Sequence, residues 1–126
     1  MPKLIHEPPS APKAAGPYSV ATEANGFVFV SGQVGIDPAV GSIVDGGVVP
    51  QCHQIMKNLG AILGDLDLQY SDIVKTTIFL GDINDFGAVN EAYNEYVAEA
   101  KPARSTFQVA ALPLGAAIEI EVIAAR

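Results

Sequence analysis

Basic side chains are scarce in this 126-residue chain: seven Lys and Arg stand against fourteen Asp and Glu, for a formal net charge of −7. Nucleic acids and anionic membranes are normally met by a surplus of Lys and Arg, and the few basic residues here are scattered, so neither is an expected partner. Cysteine is rarer still. With Cys52 alone no internal disulfide can form, which fits a reducing compartment. Only two histidines, His6 and His53, are available, and Cys52 and His53 are adjacent, so on a helix they point different ways and make a poor metal pair. There is no Gly-rich phosphate loop with its Lys, no spaced Cys/His set and no Gly-x-Ser-x-Gly elbow. These absences argue against covalent, metal and phosphate-transfer chemistry. No apolar run reaches the roughly 20 residues of a spanning helix, and the stretch Met1 to His6 lacks a signal-peptide apolar region. The expected location is the cytoplasm.

What the chain has in excess is apolar side chains, 49% of residues. One domain over residues 1–126 is the natural reading of the length. Its surplus apolar surface implies contacts between subunits.

In chain order, Lys3 to His6 fits a short edge strand, and Pro8, Pro9, Pro12 and Pro17 make residues 7 to 17 an ordered but irregular lead-in. Tyr18 to Glu23 and Gly26 to Ser31 flank Ala24-Asn25-Gly26, a strong hairpin signal. Gly32 and Gly35 then admit two readings: a backbone opened to a ligand, or a bulge or strand end. Asp37 to Pro50 reads as a surface loop. From Val49 to Leu66, Cys52, Ile55, Met56, Leu59, Ile62, Leu63 and Leu66 recur at helical spacing. Gly60 and Gly64 within that helix are expected to let it lie close to a sheet, Cys52 to pack in the core and His53 to sit on a solvated or interface face. Ile73 to Leu80 is rich in β-branched residues and reads as a strand. Asp85 is placed to cap a second helix whose apolar face carries Phe86, Val89, Tyr93, Tyr96, Val97 and Ala100. The order predicts an α+β fold, a mixed sheet with two helices on one face and the other face open to copies of itself.

The chemistry converges on the last two strands, Pro102 to Val109 and Ala117 to Ile123. Alternation puts Arg104, Thr106 and Gln108 on one face of the first, and Glu119 and Glu121 on one face of the second. Arginine fixes a small carboxylate through a planar pair of hydrogen bonds, and Glu119 in a half-buried place is suited to hold a water or move a proton. The alternative is an Arg104 to Glu119 or Glu121 salt bridge with no ligand. Both readings stay open.

Taken together, Gly16-Pro17-Tyr18-Ser19, Val30-Ser31-Gly32-Gln33, Asn58-Leu59, Asp85-Phe86 with Asn90, Pro102-Ala103-Arg104-Ser105, Leu112-Pro113 and Ile118-Glu119-Ile120-Glu121 make the chain similar to the RidA/YjgF/YER/UK group of small deaminases. The resemblance runs over nearly the whole sequence. It implies a chorismate-mutase-like homotrimer with sites between subunits. The implied reaction is hydrolysis of reactive enamine and imine intermediates such as 2-aminoacrylate to the 2-oxo acid and ammonia, with no cofactor. It also implies that Arg104 clamps the substrate carboxylate and Glu119 positions the attacking water. Tyr18, Ser31 and Gly32 would line the pocket from the adjacent subunit, with Asn90 nearby and the backbone at Thr106 in contact. Thr106 stands where well-known members carry cysteine, so thiol-dependent effects are not expected. Pocket size is expected to depend on which apolar side chains, Ile36, Phe86 or Leu114, approach from the neighbouring subunit. A carboxylic-acid sensor using the same pocket is the main competing reading. Ribonuclease or translation inhibition is disfavoured by the acidic charge and the lack of a basic, aromatic-laced groove.

Overall fold

The computed structural model describes residues 2–126. Ten regular elements follow in order: β1 (Leu4–His6), β2 (Ala21–Ala24), β3 (Phe27–Val34), β4 (Ile36–Asp37), β5 (Ser42–Ile43), α1 (Val48–Asp65), β6 (Ile73–Leu80), α2 (Phe86–Val97), β7 (Ala103–Gln108) and β8 (Ile118–Ala125). Six strands form one sheet in the order β1-β2-β3-β8-β6-β7, and β4 and β5 form a separate ribbon. Among the described residues only the β6–β7 pair is parallel, because α2 carries the chain back across the sheet between them.

The hairpin turns at Asn25 and Gly26, whose φ angles of 53° and 82° are those an Asn-Gly pair tolerates. Residues 37–50 are not a plain loop: Ile36 and Asp37 pair with Ser42 and Ile43, in strands too short for an alternation pattern to register. The α1 stripe is as read, with Cys52, Ile55, Met56, Leu59, Ile62 and Leu63 fully buried. Each large member contributes about 1.5–3 kcal/mol. Opposite them lie Val28, Val30, Ile78, Leu80, Ile118, Ile120 and Val122 from the sheet. Two local readings are corrected. Gly60 does not serve a sheet contact; a Cβ there would meet the Tyr70 hydroxyl, which donates to the Met56 carbonyl at 2.7 Å, and Gly64 faces open space. Asp85 makes no side-chain cap. Asp82 does, accepting from the Asn84 N–H at 2.9 Å in the 3-10 turn that precedes α2.

Both helices cover the face that carries Ile78, Ile120 and Val122. The other face carries Phe27, Phe29, Thr77, Phe79, Phe107, Glu119, Glu121 and Ile123, by the register of β3, β8, β6 and β7. Phe27, Phe29 and Phe107 are each over 40% exposed, and Phe79 and Phe107 meet edge to face with centroids 5.2 Å apart. Among the described residues no helix is long and apolar enough to cross a membrane.

Candidate active site

Arg104 sits on β7, at the edge of the sheet, opposite Thr76 of β6. It is half-buried and turned to the helix side, where its guanidinium carbon lies 5.4 Å from the Phe86 ring centroid and 5.3 Å from that of Tyr93. Asn90 falls between these aromatics on α2, four residues after one and three before the other, hence on the same stripe. Together with Asn94, Lys101 and Pro102, Asn90, Tyr93 and Arg104 line a cavity of about 410 Å³. No ion pair among the described residues involves Arg104.

Glu119 sits on β8, in register with Val34 of β3 and Phe79 of β6 on the open face. Its register neighbour β3 is irregular: the pairing shifts between Val30 and Gln33, leaving Ser31 and Gly32 unmatched in a bulge. Of the two sequence readings for these residues, the bulge is what is found, and it has a consequence for the site. A Cβ at Gly32 would overlap the Glu119 carboxylate, so only glycine lets the acid fold back against the strand. Burial first, and the neighbouring charge of Glu121 second, raise the Glu119 pKa above its ordinary value. Tyr18, Ser31, Gly32 and Glu119 line one cavity of about 450 Å³ with Lys13, Ile36 and Leu114.

The Ser31 hydroxyl donates to the Ser19 carbonyl at 2.7 Å and its N–H to the Val20 carbonyl at 2.9 Å. It therefore secures the start of β2 against the bulge, with only its oxygen lone pairs left for a ligand. Tyr18, 52% exposed, stands over the cavity from a tight turn. The opposite rim is the turn at Pro113 to Gly115, where Leu114 holds φ 58° and is 73% exposed. An apolar side chain held out in a left-handed conformation is costly, which marks the rim as a place where shape matters.

Arg104 and Glu119 do not meet within the chain. Arg104 shares the helix face with Ile78 and Ile120, whereas Glu119 shares the open face with Phe79, which itself faces Phe107 on β7. A salt bridge from Arg104 to Glu119 or Glu121 across the sheet is thus excluded by the pleat. Of the sequence-predicted residues, Tyr18, Ser31, Gly32 and Glu119 are together in one cavity, and Asn90 and Arg104 in another. Thr106 lines neither. Its backbone lies on the outer edge of the sheet, and its Oγ1 is buried without a hydrogen-bond partner.

Residues 8–126 match the family model described as endoribonuclease L-PSP. A mouse protein named 2-iminobutanoate/2-iminopropanoate deaminase is 50% identical over 116 residues, 92% of this chain and 86% of the mouse protein. The chain belongs to the RidA/YjgF family. A Yersinia pestis Rid-family protein, YyfA, superposes with TM-score 0.95 at 44% identity, covering 99% of this chain and 100% of that one. Escherichia coli TdcF, solved with bound serine, superposes with TM-score 0.90 at 39% identity over 98% of both chains. The mixed α+β architecture read from the sequence is therefore the family fold.

Sequence reasoning missed the parts played by four residues. Lys13 and Pro12 come to the Glu119 cavity from the proline-rich lead-in, which carries no periodic signal. Phe86 and Tyr93 were legible as an apolar stripe, but not as neighbours of Arg104. Among the described residues no three His, Cys, Asp or Glu side chains are grouped as a metal site requires.

Proposed function

We propose that the chain is an imine deaminase that hydrolyses enamine and imine acids of the 2-aminoacrylate type to the 2-oxo acid and ammonia. The mouse relative's 50% identity over 92% of the chain carries the reaction class. Its site is formed where the Arg104 edge of one copy meets the Glu119 cavity of the next, in a cytoplasmic homotrimer. The observation that supports a shared site is the placement of Arg104 and Glu119 on opposite sheet faces. Each wall has a cavity, and neither cavity holds both Arg104 and Glu119. The exposed Phe27, Phe29 and Phe107 supply apolar surface for assembly.

The roles follow from the chemistry. Arg104, with no carboxylate partner among the described residues, binds the substrate carboxylate through two parallel N–H donors. The enamine tautomerises to the imine, whose carbon is already electrophilic. Glu119 holds a water against that carbon and takes its proton as the C–O bond forms, and the C=N electron pair moves to nitrogen. The proton returned to nitrogen gives the neutral carbinolamine; Glu119 then takes the hydroxyl proton and passes it to nitrogen, so that the C–N bond breaks, ammonia leaves and the C–O bond becomes the carbonyl of the oxo acid. A carboxyl with a raised pKa is better matched to accept and return a proton near neutrality. Tyr18, Ser31, Gly32 and Asn90 close the walls, and the outer-edge backbone at Thr106 contributes an amide. No strong nucleophile is needed, since placement and proton transfer each contribute about 10²- to 10⁴-fold.

The test is a coupled assay in which a serine or threonine dehydratase, or an amino-acid oxidase, releases the imine in situ and oxo-acid formation is followed. The protein is expected to raise the rate. Saturable binding of 2-oxo acids with no acceleration for any imine would favour the sensor reading instead.

A further inference from the structure

A clamp arginine must be held still while its N–H edge stays free until substrate arrives. A carboxylate partner meets the first need and defeats the second, because it consumes the same donors and the same charge. Arg104 has no ion-pair partner among the described residues; two rings stand beside it instead. Phe86 and Tyr93 lie seven residues apart on α2, two helical turns, which is roughly 10 Å of rise. With its guanidinium carbon 5.4 Å and 5.3 Å from the two centroids, Arg104 is bracketed between them, within cation–π range of both. The Tyr93 ring is itself fixed: it is 6% exposed, and its hydroxyl shares a 2.8 Å hydrogen bond with the fully buried Thr76. Phe86 is 38% exposed and closes the other side. A ring attracts the cation without neutralising it and without using up its donors.

We propose that Phe86 and Tyr93 are positioning residues that form an aromatic seat for Arg104, aiming its donor edge at the substrate carboxylate. The proposal rests on the reading of Arg104 as the carboxylate clamp. Because the seat acts on binding in ground and transition states alike, its loss raises KM and leaves kcat in place.

The experiment measures kcat and KM in the coupled imine assay, and Kd for 2-oxobutanoate by calorimetry, for the wild type, Phe86→Leu, Phe86→Tyr, Tyr93→Phe and Arg104→Ala. Phe86→Leu is expected to raise KM and Kd about two- to fivefold with kcat nearly constant. Phe86→Tyr restores both constants because it restores a ring. Tyr93→Phe keeps its ring but loses the bond to Thr76 that fixes it, so its KM is expected between those of wild type and Phe86→Leu. In the Arg104→Ala background Phe86→Leu has no further effect on Kd. Wild-type constants in Phe86→Leu, or equal impairment in Phe86→Leu and Phe86→Tyr, would overturn the seat while leaving the clamp. An Arg104→Ala protein that binds 2-oxobutanoate as tightly as wild type would overturn the clamp and the seat with it.

Discussion

Replacing Arg104 with alanine separates its catalytic value from its structural one. Structurally, the residue is on an edge strand, half-buried, and its visible interactions are the contacts with Phe86 and Tyr93. At about 0.5–1 kcal/mol per partly exposed contact, Arg104→Ala costs about 1–2 kcal/mol. With an unfolding entropy of about 2.1 cal/mol/K per residue, a domain of this length loses about 4 °C of Tm per kcal/mol. The expected shift is then about 4–8 °C, leaving the protein folded at assay temperature. On the proposed clamp role, two charge-assisted hydrogen bonds to a substrate carboxylate are lost, each about 1.5–3 kcal/mol. That corresponds to about 10²- to 10⁴-fold in kcat/KM. Arg104→Lys keeps the charge but not the planar fork, and falls between the two. Thermal denaturation and the coupled assay, run on the same preparations, give both numbers. Near-normal turnover in a folded Arg104→Ala protein would refute the reasoning; unfolding of the variant would show that the stability estimate is wrong.

Glu119→Gln is expected to remove activity and stabilise the protein at neutral pH. The native carboxyl binds its proton more tightly than the unfolded one, so ionising it costs stability as pH rises from the ordinary value of 4.5 through its raised native pKa. Tm against pH should fall less steeply in the variant than in wild type over that interval; parallel curves would contradict this. Gly32→Ala puts a methyl group where the Glu119 carboxylate lies, and a displacement of about 1 Å at a reacting group costs about 10²-fold; kcat/KM should fall far more than Tm. Gly60→Ala gains helix propensity of about 1 kcal/mol, yet it drives the Tyr70 hydroxyl off the Met56 carbonyl. A net loss in chemical denaturation is expected, and a gain would show that Tyr70 moves aside freely.

The parts of the molecule legible in advance are those with a period. The α1 stripe from Cys52 to Leu63, the strand Ile73–Leu80 and the alternation of Ile118, Ile120 and Val122 each repeat often enough to state which face is buried. Alternation also put Arg104 on one strand face and Glu119 on another. Whether the two faces coincide depends on strand order and on β6 lying between β7 and β8, which no local pattern encodes. The ribbon of Ile36–Asp37 with Ser42–Ile43 is too short to have a period, and Lys13 reaches the Glu119 cavity through a proline-rich path that only the fold defines. Asp85 reads as the cap of α2, but a 3-10 turn at Ile83–Asp85 precedes the helix, and it is Asp82 whose side chain caps that turn. The seat formed by Phe86 and Tyr93 is hidden for a different reason. An aromatic pair at i and i+7 reads as ordinary core until the strand packed against it is known.

The central claim is that Arg104 and Glu119 of different copies complete each site, and mixing two dead variants tests it directly. Arg104→Ala subunits keep Glu119, and Glu119→Gln subunits keep Arg104. Co-expressed in equal amounts and assembled at random, they pair a sound Arg104 with a neighbour's sound Glu119 at about one interface in four. The account predicts that the mixture recovers about a quarter of wild-type imine hydrolysis while each variant alone remains inactive. A mixture as inactive as its parents would contradict it.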